Sequence, residues 1–255
     1  MDRTLLQRCS ALALVLKPDH FFSHVTAARL HGLPLPRRLE QDTTIHVSSF
    51  APTRAPRRAG VVGHRAERSR VKVGRIAQLP LALPAYAWCQ LASILSLDEL
   101  IAAGDRLAGM SRPLATSSEI EEAVIAFGQG HGSKRLADAF NLIRPNVASP
   151  METALRLELM RAGLPEPELN IPIFDSTGHR IAIGDLVYTG FRVLVEYDGE
   201  QHRLDDYQYS RDVVRHNDLI AAGWITIRVN KQMHLREASA RTREALRSRG
   251  WPDSD

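Results

Sequence analysis

Apolar positions recur at helical spacing from about Arg3 to Leu16 and again from Val25 to Leu30. Ser23 stands where an N-cap belongs and Gly32 where the second helix would stop. Alternating or continuous β-type runs then cover Thr43 to Ser48, Gly60 to Arg65 and Val71 to Ile76, separated by the basic loop Pro52–Arg58. From Pro84 the period returns to helical: Trp88 to Leu95, Leu97 to Leu107, Ile120 to Phe127 behind a Ser118/Glu121 capping box, and Ser133 to Leu142. Pro145-Asn146-Val147-Ala148 reads as a joint, which divides the chain into a largely helical α+β region (1–145) and a second α/β region (146–255).

The second region reads as helix, hairpin, strand and helices. Ser149-Pro150-Met151-Glu152 opens a helix with serine at the N-cap, proline at N1 and glutamate at N3, and Gly163 closes it. Ile181 to Asp185 runs toward a Thr189-Gly190 turn, and Phe191 to Tyr197 returns. A two-residue turn sets Tyr188 against Phe191 and Asp185 against Leu194. Alternation then puts Asp185, Glu196 and Asp198 on one face and turns Val193, Val195 and Tyr197 toward a core. Tyr209 to Ala222 has helical periodicity, with Val213, Val214, Leu219 and Ile220 expected inward and Arg211 and Arg215 outward, ending at Gly223. Trp224 to Val229 is a buried-type strand, and Leu235 to Arg247 a last helix.

Composition narrows the classes. The chain has 255 residues, 44% hydrophobic and 24% charged, with net charge +4, values of a globular protein rather than a disordered one. Lys17, Lys72, Lys134 and Lys231 are the only lysines, so the positive charge is mostly arginine, which suits phosphate and equally fits a GC-rich coding bias. Cys9 and Cys89 have no framework spacing, and the apolar run Ala11–Leu16 stops at Lys17-Pro18-Asp19, too short to span a bilayer. The expectation is a cytoplasmic protein without a membrane partner.

Three carboxylates on one face repel unless a cation lies between them. Asp185, Glu196 and Asp198 are therefore a candidate metal site, with oxygen donors favouring Mg²⁺ or Mn²⁺. A solvated acidic hairpin with Asp198-Gly199 as a plain turn accounts for the same residues without chemistry. His202 has an unperturbed pKa of about 6.5 and suits proton transfer, and Arg203 suits a phosphate clamp; a mixed-charge surface loop is the bland alternative. Arg211 and Arg215, one helical turn apart, face either a nucleic-acid backbone or Asp212 and Asp218. His24, His31 and His64 show no ligand spacing and read as packing or surface residues.

The order helix(Glu152)–strand(Asp185)–strand(Glu196-x-Asp198)–helix–strand resembles the core of the PD-(D/E)XK nuclease superfamily, a restriction-endonuclease-like mixed sheet flanked by helices. More narrowly, Ser149-Pro150-Met151-Glu152, Ala162-Gly163-Leu164-Pro165, Val195-Glu196-Tyr197-Asp198-Gly199-x-x-His202-Arg203 and Ala222-Gly223-Trp224 resemble an uncharacterised bacterial family related to very-short-patch-repair endonucleases. Ser23–Leu33, Val61–Ala66 and Ala87–Ala92 are similar to the region preceding such domains in type IV abortive-infection antitoxins, although the winged helix frequent there is not found here. The resemblance implies a Mg²⁺-dependent endodeoxyribonuclease in repair or in phage or mobile-element defence. Its metal ligands would be Asp185, Glu196 and Asp198, with Glu152 reaching the metal through water. DNA would be the partner, and the first region would bind DNA or a protein. Asp198 stands where the superfamily usually has lysine, so His202 would handle the proton. The alternative is a non-catalytic, antitoxin-like DNA-binding regulator that keeps the nuclease fold.

Overall fold

The computed structural model describes residues 3–109, 112–198 and 206–253. The chain separates into two compact units, Met1–Pro145 and Asn146–Asp255. Both are mixed α/β. Among the described residues no helix is long and apolar enough to cross a membrane.

Unit 1 begins with α1 (Arg3–Ala13), β1 (His20–Phe22), α2 (His24–His31) and the short α3 (Arg37–Glu40). Strands β2 (Ile45–Phe50), β3 (Val61–Ala66), β4 (Val73–Ile76) and β5 (Leu79–Ala82) follow, then α4 (Pro84–Gln90), α5 (Leu97–Ala108), α6 (Ser117–Phe127) and α7 (Ser133–Leu142). The sheet order is β3-β2-β1-β5-β4, with β2 and β3 parallel and β1 and β2 antiparallel. β1 and β5 are absent from the sequence expectations: β1 is only three residues long, and Pro80 inside β5 reads as a breaker. The α6 cap lies two residues before the expected pair. Thr116 and Glu119 exchange the reciprocal bonds, because both sites satisfy the same spacing and only the helix start distinguishes them. Trp88, fully buried, donates from Nε1 to the Leu100 carbonyl at 2.8 Å and so ties α4 to α5. Cys9 and Cys89 are buried and form no disulfide.

Unit 2 comprises α8 (Pro150–Arg161), β6 (Glu168–Phe174), β7 (Arg180–Tyr188), β8 (Val193–Asp198), α9 (Asp206–Ala221), β9 (Ile225–Asn230) and α10 (Leu235–Ser248). Its sheet order is β6-β7-β8-β9: two antiparallel pairings and then a parallel β8–β9 pair joined through α9. A parallel pair needs a crossover, and α9 supplies it. One core lies where α8 and α10 cover the sheet: Leu155, Leu159, Val193, Val195, Val229 and Leu246, with Tyr197 packed against it. The opposite cluster is thinner, built on Ile173, Ala182, Val187, Leu194 and Leu219.

The hairpin differs from its expected form. The β7–β8 connection is a 3-10 turn, Thr189–Phe191, followed by Arg192 at φ 52°, and the register is Leu186↔Val195, Val187↔Leu194 and Tyr188↔Val193. The pairing is shifted by two residues. An even shift preserves which side chains share a face, so Val193, Val195 and Tyr197 still turn to the α8/α10 core.

Leu159 is completely buried between α8 and the sheet. Its truncation leaves a cavity with no neighbour free to fill it, so Leu159→Ala is expected to cost about 2–5 kcal/mol, measured by denaturant unfolding followed with the fluorescence of Trp224 and Trp251.

Candidate active site

α9 inverts the ordinary amphipathic rule. Val213, Val214 and Ile220, expected inward, are 43%, 58% and 56% exposed. The helix instead turns Asp212, Arg215, His216 and Leu219 toward the sheet, and only Leu219 of that stripe is fully buried. Positions 212, 215, 216 and 219 follow helical spacing and form one face. The physical reason for the polar stripe lies opposite it, on β8.

Glu196 comes after the apolar run of β8 and is itself only 6% exposed. Arg215 grips it with a two-point clasp, Nη1 to Oε1 at 2.6 Å and Nη2 to Oε2 at 3.3 Å. Arg215 therefore does not face outward as expected: a buried carboxylate needs a cation, and the guanidinium fork supplies one. Arg211 is exposed, in keeping with its expected orientation.

The β7–β8 ladder ends at Leu186↔Val195, and one step further in the same register Asp185 lies opposite Glu196. There the Asp185 side chain replaces a main-chain acceptor: its Oδ2 receives the Tyr197 N–H at 2.9 Å. The neighbouring Gly184 leaves room for apolar packing. A Cβ at that position would come within 2.6–2.9 Å of the side-chain tips of Leu194, Val187 and Ile173. Burial raises the Asp185 carboxyl to about pH 6, opposed by the Tyr197 hydrogen bond and assisted by repulsion from Glu152 and Glu196, with Arg215 partly compensating. An acid shifted by burial beside two other acids is a frequent mark of a working site.

Glu152 brings the third carboxylate from the start of α8. Ser149 Oγ caps its backbone N–H at 3.2 Å, as the local pattern requires. Its side chain does not reciprocate in a capping box. Oε2 accepts instead from the Ala148 N–H at 3.0 Å and from Asn170 Nδ2 at 2.8 Å, and the residue is 7% exposed. Asn170, at φ 49° in β6, also donates to the Asn146 carbonyl and so fixes the start of α8 against the sheet.

Asp198 stands apart from this cluster. Arg228 on β9 pairs with it at 3.0 Å. Asp185, Glu196 and Asp198 do not draw together with their oxygens all within 4.8 Å; among the described residues only His24, His46 and His64 of unit 1 meet that spacing. Glu196 and Asp198 are each paired with an arginine instead, Arg215 and Arg228. His202 and Arg203 lie outside the described residues. Sequence reasoning missed Asn170 and Arg228. Asn170 had no local signal, whereas polar residues at 212, 215 and 216 on the side of the crossover helix facing the sheet were a legible one.

No family model and no solved structure matches the chain. Two uncharacterized proteins from strains of Mycobacterium tuberculosis, MT2308 and Rv2248, are similar to it, each 25% identical over 224 residues, covering 88% of this chain and 79% of theirs.

The raised Asp185 pKa has a thermodynamic consequence. Its folded value, about 6, lies above the 3.8 of a free carboxyl, so its contribution to stability is complete below about pH 4 and is lost as pH rises through 6. Asp185→Asn keeps an acceptor for Tyr197 and removes the charge. It is expected to be more stable than the wild type by about 1–3 kcal/mol at neutral pH and equal to it near pH 4. Paired denaturation curves at the two pH values check this; an equal gap at both would remove Asp185 as the titrating group.

Proposed function

We propose that unit 2 is a metal-dependent endonuclease acting on DNA phosphodiester bonds. The observation that carries the reading is three shielded acids, Glu152, Asp185 and Glu196, which α8, β7 and β8 bring near enough for the other two to repel Asp185, with Asp185 left short of positive charge. The strand order supports it too: an antiparallel hairpin bearing the two acids, followed by a helical crossover to a parallel strand, is the arrangement the PD-(D/E)XK resemblance implies.

The donor set fits a hard divalent cation, since Asp185 and Glu196 offer carboxylate oxygens and Asp185 lacks a cationic hydrogen-bond partner among its described contacts. Asp185 and Glu196 would hold Mg²⁺ or Mn²⁺, with Glu152 behind them. Such an ion supplies polarisation of a phosphoryl oxygen and a lowered pKa for bound water. Asp198, tied to Arg228, is a less direct ligand than the sequence pattern implied.

Arg215 has two roles in this reading. At rest its fork neutralises Glu196. A phosphate presents the same two-point geometry, so an incoming nucleic-acid backbone competes for the guanidinium and releases the Glu196 oxygens. The arginine couples substrate arrival to completion of the acidic site. Asn170 holds Glu152 in place throughout.

A second reading has its own support. Glu196 and Asp198 are each already neutralised by an arginine, so the domain balances these charges without an ion. On that reading it is a DNA-binding, antitoxin-like regulator that keeps a nuclease framework without the reaction.

Cleavage of supercoiled, mismatched and branched DNA with Mg²⁺, Mn²⁺ or EDTA separates the two. The nuclease reading expects metal-dependent nicking that falls more than a hundredfold in Asp185→Asn and in Glu196→Gln. DNA binding that weakens steeply with salt, without cleavage of any of these substrates, favours the regulator.

A further inference from the structure

Unit 1 holds a second cluster of chemistry-bearing side chains, and its donors are nitrogen. His24, His46 and His64 each offer a ring nitrogen, and these atoms all lie within 4.8 Å of one another. The three residues are far apart in sequence and come from the first residue of α2 and from the adjacent parallel strands β2 and β3. The register Ser48↔His64 offsets His46 and His64 by two residues, which makes them diagonal neighbours on one face. His46 Nδ1 stands 3.0 Å from His64 Nε2, and the His24 and His64 rings stack with centroids 3.7 Å apart.

We propose that His24, His46 and His64 form a binding site for a zinc-class divalent transition metal. Four features of the surroundings argue for a built site. First, His24 Nδ1 is held 3.0 Å from Ser23 Oγ, which in turn accepts from Ser48 Oγ at 2.7 Å; a partner on Nδ1 orients the ring and leaves Nε2 as the ligand atom. Second, His24 has a left-handed backbone, φ 51°, unusual for a residue with a Cβ, and Gln90 Oε1 secures its N–H at 2.9 Å. Third, the His46 backbone N–H donates to Thr26 Oγ1 at 2.8 Å, which fixes β2 against α2 next to the point where His24 begins that helix. Fourth, all three rings are only partly buried, and His24 lies on the wall of a cavity of about 560 Å³ shared with Glu67, Arg70 and Tyr86.

Tetrahedral zinc–nitrogen bonds of about 2.0–2.1 Å put neighbouring ligand atoms roughly 3.4 Å apart. The His46–His64 separation is already near that, and ring rotations bring in His24. Three neutral imidazoles leave the ion its full charge and a fourth position for water or an anion. They suit zinc and its neighbours and disfavour magnesium, so this site is chemically distinct from the carboxylates of unit 2.

The test is equilibrium dialysis of the full chain, stripped of metal, against Zn²⁺ and separately Mg²⁺. About one Zn²⁺ per chain is expected, lost in His46→Ala and in His64→Ala, retained in Asp185→Asn, and not replaced by Mg²⁺. Absence of Zn²⁺ uptake, or uptake unchanged in both histidine variants, overturns the proposal. If those variants do not fold by circular dichroism, the wild-type Co²⁺ spectrum decides. Intense tetrahedral visible bands support the site; weak octahedral bands or none overturn it.

Discussion

A carboxylate that follows an apolar, fully covered stretch of strand must be neutralised where it stands, and Glu196 sets that demand for unit 2. Val193, Leu194 and Val195 bury β8 on both faces, so the strand reaches Glu196 without solvent to stabilise its charge. Arg215 answers from the crossover helix. The pairing gives α9 its orientation: the polar stripe faces the sheet, and three aliphatic side chains are left on the outside. Hydrophobic burial alone would have rotated the helix the other way, because each aliphatic side chain is worth about 1.5–3 kcal/mol when covered. Val213, Val214 and Ile220 are only about half exposed, so they forgo part of that gain, and an uncompensated buried charge costs a comparable several kcal/mol.

The same demand leaves Asp185 short. One guanidinium cannot fully serve three acids, and its hydrogen bonds go to Glu196. Asp185 retains a single main-chain donor, Tyr197, while Glu152 takes Ala148 and Asn170. The outcome is an uneven distribution of charge within one cluster, with an acid whose ionisation is resisted next to one whose charge is fully met. That imbalance is the feature a cation or a phosphate would correct, and it ties the energetics of the fold to its proposed chemistry. Unit 1 solves a different problem with histidines, which can be gathered without charge repulsion because burial keeps them neutral.

Particular residues show how far sequence reasoning reached. The hairpin faces were legible because alternation depends only on parity, and the true connection changed the pairing by an even number of residues. The turn itself was not, since Thr189-Gly190 suggests a short loop and nothing local announces that Phe191 and Arg192 join it. β6 received no expectation of its own, because Pro172 interrupts an otherwise apolar run. The start of α8 was clear from Ser149-Pro150, yet the bonds made by the Glu152 side chain depend on Asn170, eighteen positions away. Reading α9 by hydrophobicity placed Val213, Val214 and Ile220 inward, and the charge on β8 overrode that preference.

What the chain by itself determined is local: where helices begin and end, which strand residues share a face, and that Asp185 and Glu196 belong to one ribbon. Caps, periods and parity act over a few residues, so they can be read in order. Only tertiary structure decided that Arg215 meets Glu196, that Arg228 takes Asp198, and that three histidines separated by tens of residues come within ligand distance of one another. Those outcomes depend on strand order, register and crossover, which bring together side chains that no sequence spacing relates.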